Sequence, residues 1–322
     1  MAPTARLWAV AKKNRKNQNQ DDLPEGMSRR QAKLAKRAAE RAALERDPRP
    51  YDGFAAETDL IALQEFVPSA YFTAETEQDA GFTRTVKVCT VLPGAAAALV
   101  RAEDEGGEAL VALQTQHRGD NPNRDLAFAL EWARTAEPGS SLDVAVADGT
   151  EPALSSLLVA AQEPEIEVCR DFNWWLTEDQ RTNPQVVASL DQANASVLPS
   201  VRVDAEITGS AWWIDPGEKA HIRWVRPETE AQLLPALARV HAAGQLNLGE
   251  DTRFAGVFRT HGILVPVFDL DNTVDASEFA APLQELDARI SDALAGIADG
   301  GALTAEEQKS RQTIIAREVT IR

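Results

Sequence analysis

Ala211-Trp212-Trp213-Ile214-Asp215-Pro216-Gly217-Glu218-Lys219-Ala220-His221-Ile222-Arg223-Trp224-Val225 is the stretch that decides the fold class. Its two flanks are rich in β-branched and aromatic residues. Between them Pro216 presets the φ of a turn and Gly217 accepts a positive one, so the stretch predicts a β-hairpin. Beyond it Pro227 can open a helix in which Leu233, Leu234, Leu237 and Val240 recur at helical spacing, with Gly244 as terminator. Pro235 lacks the amide that would bond to Ala231, which predicts a kink there or a helix that begins at Pro235. Thr252 to Thr260 then carries Phe254, Val257 and Phe258 at helical spacing, and predicts a second helix. The apolar run Ile263 to Phe268 contains Pro266 and reads as an edge strand or a bulged one. Pro282 starts an amphipathic helix through Leu283, Leu286, Ile290 and Leu294 that Gly300-Gly301 ends. Thr304 to Glu307 forms a capping box for the last helix, and Glu318 to Arg322 returns as a strand.

Towards the amino terminus the same grammar recurs. A short helix through Leu60, Ile61, Leu63 and Phe66 precedes a strand at Thr85 to Leu92. Ala98 to Ala102 and Ala109 to Gln114 form a hairpin around Asp104-Glu105-Gly106-Gly107. A helix from Arg124 to Glu137 buries Leu126, Ala129, Leu130 and Ala133. The order hairpin, polar break, apolar helix matches residues 211 to 243, which admits an internal duplication. Between the two, Ser140 to Pro164 reads as a connector with a helix at Leu154 to Ala161. Ile166, Val168, Phe172 and Trp174-Trp175 read as a strand, and Asn183-Pro184 opens a helix through Leu190. The expected fold is α+β, in two related hairpin-plus-helix halves, 51–164 and 165–322, behind a basic arm, 1–50, that is partly disordered with a polar helix at 28–46.

The arm is set apart by charge. Residues 1 to 50 carry 13 Lys and Arg against 6 Asp and Glu, whereas the rest carry 20 against 44. A basic arm on an acidic body suits a polyanion, or the body of another copy, and the body itself would repel nucleic acid. Lys12 to Glu25 has too little apolar surface to offset chain entropy, and the shift in character at Val10 points to that residue as the natural start. Clustered cations gain from counterion release at phosphates, so Lys12, Lys13, Arg15, Lys16, Arg29 and Arg30 are the candidate contacts to RNA or the ribosome. No aromatic lies between Lys12 and Arg49 to stack on bases, which favours a solubilising tail instead. The two cysteines, Cys89 and Cys169, sit in apolar runs and indicate buried thiols in the cytoplasm. No apolar run approaches the roughly 20 residues of a membrane span.

Val267-Phe268-Asp269-Leu270-Asp271-Asn272-Thr273-Val274 resembles the first motif of the haloacid-dehalogenase phosphatases, in which the first Asp is a nucleophile beside Mg²⁺. That family needs a long α/β domain after the motif, and about 50 residues follow here, so the aspartates are expected to be loop acids. The four histidines are not at metal-ligand spacing, and His241 and His261 fit helix ends. No motif calls for a cofactor or assigns a catalytic residue. In a strand, one member each of Trp212-Trp213 and Trp174-Trp175 faces outward. An outward Trp213 near Arg253, Arg259 and His261 would form a partner surface, unless a packed helix covers it. Arg223, Arg253, Arg259 and His261 are the alternative candidates, for an anionic small molecule or substrate held between the halves.

At Arg49-Pro50-Tyr51-Asp52-Gly53, Glu57-Thr58-Asp59-Leu60, Ala220 to Val225, Ala236 to Gly244, Thr252 to Gly262 and Leu264 to Val267, the chain is similar to an uncharacterised actinobacterial family, a domain of unknown function. Some members carry an amino-terminal Cys/His zinc motif of the SEC-C kind, and this sequence lacks its cysteines. The resemblance implies no activity. The expectation is therefore a non-enzymatic cytoplasmic interaction protein, acting at RNA, at ribosomes or on its own copies.

Overall fold

A computed structural model describes residues 46–177 and 180–318, together with Arg30, Gln31, Lys33, Leu34 and Arg37. Those five are helical and exposed. Lys12, Lys13, Arg15, Lys16, Arg29 and, apart from those five, the other residues of 1–45 lie outside the described residues, as do Val319 to Arg322.

The amino-terminal half contains α1 (Glu57–Glu65), β1 (Ala70–Ala74), β2 (Val86–Cys89), β3 (Ala98–Val100), β4 (Ala109–Ala112), α2 (Pro122–Thr135), β5 (Ser141–Leu142) and, beyond the boundary expected at 164/165 because it pairs with β1, β6 (Glu167–Val168). Its sheet runs β5-β3-β4-β2-β1-β6, with β2 and β4 parallel and the other neighbours antiparallel. After α3 (Pro184–Asn194) come β7 (Ser200–Arg202), β8 (Ser210–Ile214), β9 (Ala220–Val225), α4 (Glu230–Ala242), β10 (Arg253–Thr260), β11 (Ile263–Leu270), α5 (Ala280–Ala298) and α6 (Ala305–Ala316). These strands form a wholly antiparallel sheet, β10-β11-β9-β8-β7. The fold is α+β as expected. The duplication gains no support, because strand order and direction differ between the two sheets.

The hairpin 211–225 is present, turning through residues 215–219. After it the sequence misleads once. Residues 253–260 are a strand, not a helix, and pair with β11 through a register shift between Phe254 and Gly256. The extra residue of that bulge turns Phe254 and Val257 to one face and Phe258 to the other, so a bulged strand imitates helical spacing. Pro266 is also not on an edge. The Val257 amide points outward to the Arg317 carbonyl, so Val257 and Pro266 are a non-hydrogen-bonded pair, and pairing of β11 with β9 involves only Val267 to Leu270. The proline thus sits where the ladder asks for no donor.

Other expectations are trimmed by local hydrogen bonding. Asp271 and Asp275 each accept from the amide and hydroxyl two residues on, at Thr273 and Ser277, which makes the acidic turn after β11. Asp171 accepts the Asn173 amide at 2.8 Å and breaks the strand expected through Trp175 into the two-residue β6 and a 3₁₀ turn, Asn173–Trp175. The helix expected at 154–161 is a single 3₁₀ turn, Leu154–Ser156. Helix α4 begins at neither Pro227 nor Pro235 but at Glu230, under a capping box of Thr229 and Gln232. It continues through Pro235 because Leu233, Leu234 and Leu237 are anchored in the core. The capping boxes and N-caps read at Thr304 and Asn183 are formed.

The carboxy-terminal sheet is covered on both faces. Ile222, Trp224 and Phe268 lie under Leu233 and Leu237 of α4, Leu283, Leu286 and Ile290 of α5, and Ile314 of α6. On the opposite face Trp212, Ile214, Val225, Val265 and Val267 join Leu60, Ile61 and Leu63 of α1 and the amino-terminal sheet in one apolar cluster. Just past β9, the middle strand, lies a buried ionic network. The Arg226 side chain is fully buried, with bonds to Glu228 at 2.6 and 3.1 Å, a bond to Asp287, and its guanidinium 4.6 Å from the Trp224 ring. Asp287 also accepts from the Thr208 amide at 2.9 Å. Removing one partner leaves a charge in a dry site, so Asp287→Ala is expected to lower stability by about 3 kcal/mol in urea denaturation of the full chain. A loss below about 1 kcal/mol would mean that the arginine reaches water.

Candidate functional site

The seam between the halves holds a dense polar cluster. Tyr51, fully buried, donates its hydroxyl to Gln64 at 2.7 Å, and Gln114 donates to the Leu63 and Val67 carbonyls that end α1. Arg49 grips Glu57 with two bonds and reaches the Pro227 carbonyl at 2.7 Å, tying the root of the arm to α1 and to the end of β9. The Asp47 amide donates to Asn121 at 2.6 Å. His261 is not at a helix end. It is the first residue of the two-residue turn joining β10 and β11, with φ of 46°, followed by Gly262 at 73°. Glycine is required at 262 because a Cβ there would overlap the Pro48 carbonyl. His261 Nε2 lies 2.9 Å from Glu65 Oε1, and Arg118 lies 3.4 Å from the same oxygen. Arg46, Asp47, Arg118 and His261 line a cleft of about 450 Å³ beside this cluster. Burial raises the Glu65 pKa, yet the hydrogen bond and charge of His261 and the charge of Arg118 outweigh it and hold the carboxyl below its usual value.

The other sequence candidates are distributed differently. Arg253, Asp269 and His221 form a row across β10, β11 and β9 on the α1 side of the sheet, with Arg223 one step along. Asp269 is a strand residue rather than a loop acid, 3.2 Å from His221 and 3.9 Å from Lys219. Arg223 is half-buried with its guanidinium 5.3 Å from the Phe66 ring, and among the described residues no carboxylate lies within ion-pair range of it. Burial alone pushes its pKa down to about 10. His221 is likewise lowered by burial first, with Arg223 and Lys219 adding to the shift against Asp269. Arg259 faces the opposite side and is held by Glu230 at 2.8 and 2.9 Å and by Glu318. The structure therefore brings Arg223 and Arg253 to one face, and leaves Arg259 and His261 in separate ion pairs.

Trp213 does not join them. It is half-buried on the helix-covered face, its Nε1 buried with no acceptor among the described residues, and lines a cleft of about 510 Å³ with Val201, Asp204 and the 272–277 turn. Trp174 and Trp175 are anchored in their 3₁₀ turn by bonds to Ser69 at 2.9 Å and to the Val91 carbonyl at 3.0 Å. Beside Trp175 is a further cleft, of about 570 Å³, that sequence reasoning missed. Its only signals were the tryptophan pair and a helix with apolar residues on one side.

Among the described residues no group of three or more His, Cys, Asp or Glu is gathered as metal ligands, and no helix is long and apolar enough to cross a membrane. Cys89 is buried and Cys169 half-buried, each as a free thiol.

Residues 50–322 match the family described as "Family of unknown function (DUF5926)". The chain belongs to this family. No curated protein and no solved structure matches it. The match begins at the strap Pro50-Tyr51 and spans both sheets, so the seam is internal to the family's domain.

The lowered Glu65 pKa fixes a sign. A depressed carboxyl contributes stability above its unfolded value of 4.5 and loses it as pH falls through the folded one. Glu65→Gln is expected to cost about 1 to 2 kcal/mol at neutral pH, with the gap closing below pH 4.5, as read from urea midpoints across pH. A gap that does not change with pH would show that its charge contributes nothing.

Proposed function

We propose that this DUF5926 chain is a non-enzymatic cytoplasmic interaction protein whose basic arm docks on RNA, at the ribosome or elsewhere, while the acidic body stays off the polyanion. The observation that carries the reading is the division of charge, 13 Lys and Arg against 6 acids in residues 1–50 and 20 against 44 thereafter. An arm of that composition gains affinity by releasing counterions, and the body's field orients the encounter so that the arm leads. Pinning of the root by Arg49, Asp47 and Gly262 supports it, since the arm leaves the body from a fixed point at the seam.

The test is filter binding of a single-stranded RNA to the full chain and to a variant with Lys12, Lys13, Arg15 and Lys16 replaced by Gln. Expected is a loss of about tenfold or more in affinity at low salt, and a salt slope shallower by about 0.7 for each phosphate contact removed. Binding that ignores both salt and the arm would refute it, and arm-dependent dimers in sedimentation would assign the arm to a second copy.

A second reading, an anionic small molecule on the sheet face, is favoured by Arg223, whose half-buried charge has no carboxylate within ion-pair range among the described residues. Citrate or phosphate would then raise the melting temperature of the parent and not of Arg223→Met. Equal shifts in both would remove it.

A further inference from the structure

The 570 Å³ cleft beside Trp175 is separate from the arm, the seam and the sheet-face row. Its floor is a stacked pair, Phe172 on Trp175, with ring centres 4.1 Å apart and planes 17° from parallel. The floor is tied to both walls. Trp175 Nε1 donates to the Val91 carbonyl in the loop after β2, and the Phe172 amide donates to Asn194 at the end of α3 at 2.7 Å. An aromatic shelf braced in this way is formed before anything occupies it, which lowers the ordering cost of binding.

The second wall is α3. Val186, Ser189, Leu190 and Ala193 lie on one helical stripe at i, i+3, i+4 and i+7, and all four line the cleft. Leu190 is the helix's only buried residue, and no other residue of the stripe reaches the core. A helix that turns its small and apolar stripe to a cleft lacks the packing that stripe ordinarily finds. An occupant would supply it.

The chemistry of the walls selects the occupant. In a chain of which 26% is Asp, Glu, Lys or Arg, none of the described residues lining this cleft is charged. The polar ones are amides and hydroxyls, at Asn183, Gln185, Ser189 and Ser196. A charged ligand would shed hydration here with no counter-charge in return, whereas an apolar or aromatic body with one hydroxyl or amide finds both an apolar surface and hydrogen-bond partners. The volume lies within the range of small-molecule sites, which are mostly apolar with few polar groups.

We propose that this cleft binds a neutral, largely apolar small molecule, stacked over Phe172 and Trp175 and closed by the 186/189/190/193 stripe of α3.

The probe is N-phenyl-1-naphthylamine, neutral and fluorescent in apolar surroundings, titrated into the full chain and displaced by decanol, decanoate or decylamine. Expected is saturable binding of one probe per chain, with decanol displacing it about tenfold more effectively than either charged analogue. Ala193→Trp, which fills the cleft, weakens probe binding about tenfold, whereas Ala280→Trp, in the cleft beside Trp213, leaves it unchanged. Urea midpoints check that each variant folds, and Ser189→Phe replaces Ala193→Trp if that one does not. Non-saturable binding, equal displacement by all three competitors, or indifference to both cleft-filling variants would overturn the proposal. So would probe binding per chain that falls as protein concentration rises, which would mean that a second copy occupies the cleft.

Discussion

The constraint on which the structure depends is that the sheet β10-β11-β9-β8-β7 has an apolar surface on both sides and only one set of its own helices to cover it. Helices α4, α5 and α6 close one face over Trp224 and Phe268. The other presents Trp212, Ile214, Val225, Val265 and Val267, and its cover is α1, from the opposite end of the domain. Apolar area of that extent left in water would be strongly unfavourable, at roughly 25 cal/mol for each Å². The carboxy-terminal half therefore depends on the amino-terminal one for its core, and the Pro48 to Tyr51 strap holds the junction where α1, the end of β9 and the β10–β11 turn converge.

The charges of the acidic body follow from the same geometry. Arg226 is enclosed by Glu228 and Asp287, Arg49 by Glu57, Arg202 by Asp59, and Arg259 by Glu230 and Glu318. In each case the guanidinium fork bridges two elements across a junction, a use for which its fixed donors suit it better than an ammonium would. Arg223 breaks the pattern, because its neighbours are Val267, Trp212 and the Phe66 ring rather than carboxylates. Most basic groups of the folded body are thus committed to holding it together. The excess acid is left outward, and the cations of the first 50 residues are the ones in surplus. The cleft over Phe172 and Trp175 stands apart from both populations, since charge of either sign is missing from its described lining.

Punctuation was legible in the sequence because it acts locally. Asp215-Pro216-Gly217, Asn183-Pro184, the Thr304 to Glu307 box and the glycines at 244 and 300 each specify backbone angles or caps through neighbours a few residues away. Periodicity was less secure. Phe254, Val257 and Phe258 carry helical spacing only because a bulge offsets a strand by one residue, and a bulge is fixed by the partner strand. Trp174 and Trp175 look like a strand until the Asp171 carboxylate captures the Asn173 amide and folds them into a turn. The candidate site was legible by residue type alone. Arg223, Arg253, Arg259 and His261 are alike in carrying cationic groups, yet sheet register sends Arg259 to the opposite face.

By itself the sequence determined the α+β class, the hairpin and its following helix, the caps, and the opposition of a basic arm to an acidic body. These are written in nearest-neighbour sterics and in composition. Only the tertiary structure decided that residues 253–260 are a strand, that α1 covers the far sheet, that His261 answers Glu65 across the seam, and that Phe172, Trp175 and α3 line a cleft with no charged residue among its described lining. The reason is that each of these brings together groups far apart along the chain, and which distant surfaces meet is set by the collective burial of both sheet faces rather than by any local run of residues.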